Sequence, residues 1–142
     1  MREYYDFRES LKRLELIHVL GPENLAKFRF LVDVGEQSVG EAVRSLLRMG
    51  RQILGEVAPE EDIKVVELLG RKKILPWPQV RKMKKLLSFR KALLEAKAAD
   101  GEEAISAREV YVAFEKLRRD LMSLGEALRA HLPFEVKETQ PM

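Results

Sequence analysis

Residues 106–128 read SAREVYVAFEKLRRDLMSLGEAL, and this stretch decides the fold class. Val110, Phe114, Leu117, Leu121, Leu124 and Leu128 recur at alternating steps of four and three. That spacing places all six on one face of an α-helix. Ser106 and Glu109 stand at capping-box spacing, in which each side chain takes a free backbone N–H of the first turn. Three heptads can line a bundle core or a dimer seam; we expect the core.

Outward from this stretch, helix punctuation continues and no run alternates with period two between hairpin signals. Asp100-Gly101 ends a helix expected over about 78–98, with Val80, Met83, Leu87 and Leu94 on one stripe and Leu86, Phe89 and Leu93 on the next. Pro76-Trp77-Pro78 forces a rigid turn before it. A short helix opens at Pro59-Glu60-Glu61-Asp62, where acids suit the positive end of the dipole, and ends near Gly70. Before it, a long helix is expected over about 22–55, with apolar residues at Phe28, Leu31, Val32, Val39, Val43, Leu46, Leu47, Ile53 and Leu54. Gly35, Gly40 and Gly50 lie within it, each costing roughly 1 kcal/mol relative to Ala; they mark close helix approach or weak spots. Gly55 suits its terminus. A first helix over about 2–19 places Leu11, Leu14 and Ile17/His18 at helical spacing, and Gly21-Pro22 interrupts it. The expected architecture is an all-α antiparallel bundle of about five helices in one domain, 1–132, with a polar tail at 133–142.

Composition narrows the function. The 142 residues contain no Cys, and the only histidines are His18 and His131. This argues against disulfides, thiolate sites, zinc clusters and a His-based triad; we expect no metal and no cofactor. No run of 18 apolar residues suggests a membrane span, and the charged start Met1-Arg2-Glu3 lacks a signal peptide's apolar centre. A cytoplasmic protein is expected. The net charge of +3 is unevenly spread. Residues 1–70 carry 10 basic and 13 acidic side chains, residues 71–97 carry 10 and 1, and residues 98–142 carry 6 and 9. One middle segment therefore holds the whole positive excess. Within it Arg71, Lys72, Lys73, Arg81, Lys82, Lys84 and Lys85 suit an RNA backbone, although charge runs are commonly just solvated faces. Trp77 has two readings, a base-stacking platform or a pin fixing the turn to the core; between two prolines, the pin is favoured.

The order of features resembles the HepT-like branch of the HEPN superfamily. The resemblance covers roughly residues 10–130 and is carried by Leu31-Val32-Asp33, then Leu68-Leu69-Gly70 to Ile74-Leu75-Pro76, then residues 86–95 (LLSFRKALLE), then Ile105-Ser106-Ala107-Arg108-Glu109-Val110-Tyr111. It implies a small helical homodimer, a ribonuclease of toxin–antitoxin type, and a minimal nucleotidyltransferase as partner. The family's motif runs Phe-Arg-Asn, three mostly apolar residues, His, any residue, Tyr. Phe89 and Arg90 match it; Lys91 replaces the Asn, Glu95 the His and Lys97 the Tyr that the partner enzyme can adenylylate. The resemblance thus makes Arg90 and Glu95 the catalytic positions of a degenerate motif. It also places Arg44 and Arg48 where relatives carry acidic residues facing that motif, which would make the cleft more basic.

The departures have chemical consequences. Metal-independent RNA cleavage needs a group that moves protons near neutral pH, as imidazole does. A carboxylate at position 95 is ionised at neutral pH and repels phosphate. Arg90 can still grip a phosphate bidentately. It shares the Met83–Leu87–Leu94 stripe, so its stem could equally lie over apolar surface. Glu95, four residues after Lys91, also suits an ordinary surface ion pair. Three readings follow. The first is an inactive module binding RNA, through Arg44, Arg48, Arg81, Lys82, Lys84, Lys85, Arg90 and Lys91, or a nucleotidyltransferase. The second is a divergent ribonuclease using Arg90, Arg44 and Arg48 with Glu95 as acid or base. The third is a structural helical subunit.

Overall fold

A computed structural model describes the backbone of residues 2–99 and 107–132 and the side chains of residues 2–88 and 107–132. Five α-helices form among the described residues: α1 (Arg2–Lys27), α2 (Phe30–Leu54), α3 (Asp62–Arg71), α4 (Trp77–Ala99) and α5 (Ala107–Arg129), with a short 3-10 turn at Gly55–Val57 after α2. No strand occurs among them. The all-α expectation holds, and the helices form a bundle.

The heptad stretch behaves as a core seam. Phe114, Leu117, Leu121, Leu124 and Leu128 of α5 are buried in one cluster with Phe7, Leu14 and Ile17 of α1 and Val39, Val43 and Leu46 of α2. His18 meets Tyr111, whereas Phe7 lies over Gly125, so α1 and α5 run antiparallel. Phe28-Arg29 alone joins α1 to α2, and Arg13 midway along α1 reaches Ser38 and Glu41, so the chain doubles back and α1 is antiparallel to α2 as well. α2 and α5 therefore run in the same direction, and Gly35 near the start of α2 faces Phe114 near the start of α5. A Cβ at position 35 would sit 2.3 Å from Phe114 Cε2. Of the two readings of that glycine, close approach is the right one.

The boundary between the first two helices departs from expectation. Gly21 adopts φ 84° and ψ 165°, a conformation glycine reaches without steric cost. Helix resumes at Pro22 but stops at Lys27, and the long second helix begins at Phe30 rather than at 22. Phe28, expected on the apolar stripe, is exposed, as is Phe30. The break at Pro22 leaves backbone carbonyls without their usual partners. Proline has no N–H to give the carbonyl of His18, four residues earlier; the Tyr111 hydroxyl donates to it at 3.0 Å. Asn24 Nδ2 donates to Leu20 O at 2.6 Å. Two side chains thus repair the kink.

At the other end, Arg51 Nη2 donates to Glu60 O at 2.7 Å and to Asp62 Oδ1 at 2.9 Å, tying the end of α2 to the start of α3. α3 and α4 form a helical hairpin against that end of α2 through buried Val65, Val66, Leu69, Leu75, Val80, Met83 and Leu86. Gln79 Nε2 donates to Ser123 Oγ at 2.8 Å, joining α4 to α5.

Candidate nucleic-acid interface

The basic segment folds as the α3–α4 corner. After Leu69 the chain turns on a compact set of bonds: Lys72 N–H donates to Leu68 O (2.9 Å), Lys73 N–H to Gly70 O (3.0 Å) and Ile74 N–H to Leu69 O (2.9 Å). The turn needs one residue in the left-handed region, and Lys73 takes it with φ 61°. Buried Leu75 anchors the exit. The Pro76 carbonyl then accepts from Gln79 N–H at 2.9 Å and Val80 N–H at 3.1 Å, starting α4. Pro78 sits in the first turn, where its missing N–H costs nothing.

Arg71, Lys72 and Lys73 are exposed on the turn, and Arg81 and Lys85 are exposed one and two turns into α4. Lys82 and Lys84 are half-buried, and Lys84 Nζ pairs with Glu67 of α3 at 3.3 Å. Of the four expected cations on this helix whose side chains are described, two therefore face solvent openly. Trp77 shares their exposed side at positions 77, 81 and 85, spacing that keeps residues on one helical face. It is 53% exposed. The pin expectation is only partly right. One edge of the indole does pack on α3, since a Cβ at Gly70 would meet Trp77 Cζ3 at 3.1 Å.

Arg44 and Arg48 lie elsewhere. Both are exposed on α2 and line a cleft of about 310 Å³ with Asp6, Glu9, Ser10 and Arg13 of α1 and with Glu41 and Ser45 of α2. Arg13 bridges this cleft: it ion-pairs with Glu41 and donates to Ser38 Oγ (3.1 Å) and Ser10 Oγ (3.3 Å). Three guanidinium groups face three carboxylates there, so the lining is balanced in charge rather than basic. The side chains of Arg90, Lys91, Glu95 and Lys97 lie outside the described residues, as does the tail at 133–142.

Sequence reasoning set aside His18, which the structure engages. His18 Nδ1 lies 2.8 Å from Glu115 Oε1 and 3.0 Å from the Tyr111 hydroxyl, and the two rings stack at 5.7 Å. With the Tyr111 O–H committed to the His18 carbonyl, the partners assign the imidazole proton to Nδ1. Glu115 also accepts from Arg118 (2.9 and 3.1 Å) and Arg119 (3.1 Å). The Arg118 hydrogen bond, against an opposing burial effect, holds the Glu115 carboxyl below its ordinary value, aided by Arg119 and His18. The same contact raises Arg118. The Glu115, Arg118, Arg119 spacing was visible in the sequence; its long-range partner His18 was not. Among the described residues no group of three or more His, Asp or Glu could hold a metal, and no helix is long and apolar enough to cross a membrane. No family model, no curated protein and no solved structure matches the chain.

Proposed function

We propose that this protein is a non-catalytic RNA-binding module of HepT-like type, acting as a homodimer. The observation that carries the reading is the exposed cationic corner of Arg71, Lys72, Lys73, Arg81 and Lys85, drawn from a segment with 10 basic side chains and 1 acidic. Such a surface neutralises successive phosphates and gains from counterion release. The carboxylate at position 95 supports binding over cleavage, because it offers neither the proton chemistry nor the charge that phosphodiester cleavage needs. The lysine at position 97 favours RNA over a nucleotidyltransferase as partner, since it removes the tyrosine that such a partner modifies in the resembled family. Exposed Leu16, Val19 and Val112 offer apolar surface for pairing of two copies.

Incubation of the purified protein with transfer RNA and total RNA tests this reading. Retarded but intact RNA is expected. Cleavage that is abolished by Arg90→Ala would show an active ribonuclease instead, and absence of binding at low salt would leave a structural subunit.

A further inference from the structure

Resting on that RNA-binding reading, we infer that the α3–α4 corner selects unpaired RNA, with Trp77 as a stacking platform for a base and Lys73 as a phosphate contact beside it. Two independent observations converge there. The first is the indole itself. A tryptophan 53% exposed leaves a large apolar ring in water, yet its edge is fixed by the close approach to Gly70. A ring approached at Cζ3 and Cη2 by α3 on a residue more than half exposed is suited to stack on a base, which a duplex hides between its neighbours.

The second observation is backbone strain at Lys73. Its φ of 61° is a conformation at which glycine is the usual occupant, and the side chain is exposed. The backbone there would be served better by glycine, so the position presents a cation at a conformational cost. Lys73 precedes a strip of which Trp77 is the first member. Trp77, Arg81 and Lys85 follow one another at four-residue steps, each a rise of about 6 Å along the helix, a pitch that a stretched single strand can follow with its phosphates.

An anionic membrane surface would also attract lysines and a tryptophan. The strip does not favour it, because beyond the first turn its exposed members among the described side chains, Arg81, Lys85 and Ser88, are polar. Interfacial helices bury a row of large apolar residues, and among the described side chains of α4 Trp77 is the one large hydrophobic that is exposed.

The chain holds one tryptophan, so its own fluorescence reports the platform. The experiment titrates the protein with a 20-nucleotide oligouridylate, with an RNA duplex of 20 base pairs and with phosphatidylserine-containing vesicles. It follows Trp77 emission together with the anisotropy of labelled RNA. We expect quenching by the oligouridylate, little quenching by the duplex and no response to vesicles. Trp77→Ala should weaken oligouridylate binding by about tenfold and leave duplex binding unchanged, while Trp77→Phe restores most of the loss. Lys73→Gly should weaken the oligouridylate without lowering the melting temperature. Equal binding of strand and duplex, untouched by Trp77→Ala, would overturn this inference while leaving the RNA-binding reading standing. Binding to neither RNA would overturn both. A blue shift with vesicles alone would reassign the surface to membranes.

Discussion

Replacing Lys73 with glycine should make the protein more stable and a poorer RNA binder at once. At φ 61° the lysine Cβ crowds its own backbone, a penalty of about 1–2 kcal/mol for an L-residue in the left-handed region. Glycine removes it but brings extra unfolded-state freedom, costing about 0.5–1 kcal/mol. The turn bonds are retained, because Lys73 N–H donating to Gly70 O at 3.0 Å is a backbone contact. The net gain is therefore about 0.5–1 kcal/mol, which for a chain of this length raises the Tm by about 2–3 °C. Thermal and urea denaturation followed by circular dichroism measure it. Lys73→Ala separates the causes, since it deletes the charge but keeps the strain: affinity should fall with no rise in Tm. A Tm lowered by Lys73→Gly would refute the strain argument. Unchanged RNA affinity in both variants would refute the role given to the cation.

Three further outcomes are expected from the fold. Tyr111→Phe removes the hydroxyl that donates to the His18 carbonyl in place of the N–H that Pro22 lacks and should cost about 1–2 kcal/mol, measured by urea denaturation; a neutral effect would mean water replaces the hydroxyl. Gly35→Ala drives a methyl into Phe114 and should destabilise by about 1 kcal/mol after the helix-propensity gain is deducted, with Phe114→Leu in the same chain recovering part of the loss. Because the Glu115 carboxyl is depressed in the folded state, its contribution is present above the ordinary carboxylate value of 4.5 and is lost as pH falls through the lower folded value. The stability difference between wild type and Glu115→Gln should thus be present at neutral pH and disappear in acid below that value; a difference independent of pH would contradict this.

Most of the fold was legible in the sequence where one periodicity governed a whole helix. In α5 the expected seam is buried at Phe114, Leu117, Leu121, Leu124 and Leu128, with Val110 half-buried. In α1 Leu14 and Ile17 are buried as spaced, and Phe7 joins them unannounced. The missed turn at residues 28–29 has a physical cause. Phe28, Phe30, Leu31 and Val32 continue an apolar pattern, with no glycine or proline to mark the break, so periodicity alone ran through it. Burial also shifted on α4, where Leu86 is fully buried and Leu87 only half, since contact with α3 decides which of two neighbouring stripes faces inward.

The site was legible as charge but not as geometry. The basic excess at 71–97 located the corner, yet sequence could not tell that Lys84 is engaged by Glu67 while Arg81 and Lys85 stay open. It also could not tell that Arg44 and Arg48 share their cleft with acids from α1. Trp77 was ambiguous because two prolines suit both a pin and a platform, and only its neighbour Gly70 shows that it packs on α3 while the residue stays more than half exposed. The cluster of His18, Tyr111 and Glu115 joins the first helix to the last, and such a pairing leaves no local signal.

Affinity for a labelled oligouridylate, measured by anisotropy across a range of salt concentrations, tests the central claim most directly. Three to five phosphates neutralised by Arg71, Lys72, Lys73, Arg81 and Lys85 predict a slope of log K against log salt of about −2 to −3.5, flattened by about 2 when Arg71, Lys72 and Arg81 are changed together to glutamine. A slope near zero, or one that this triple variant leaves unchanged, would contradict it.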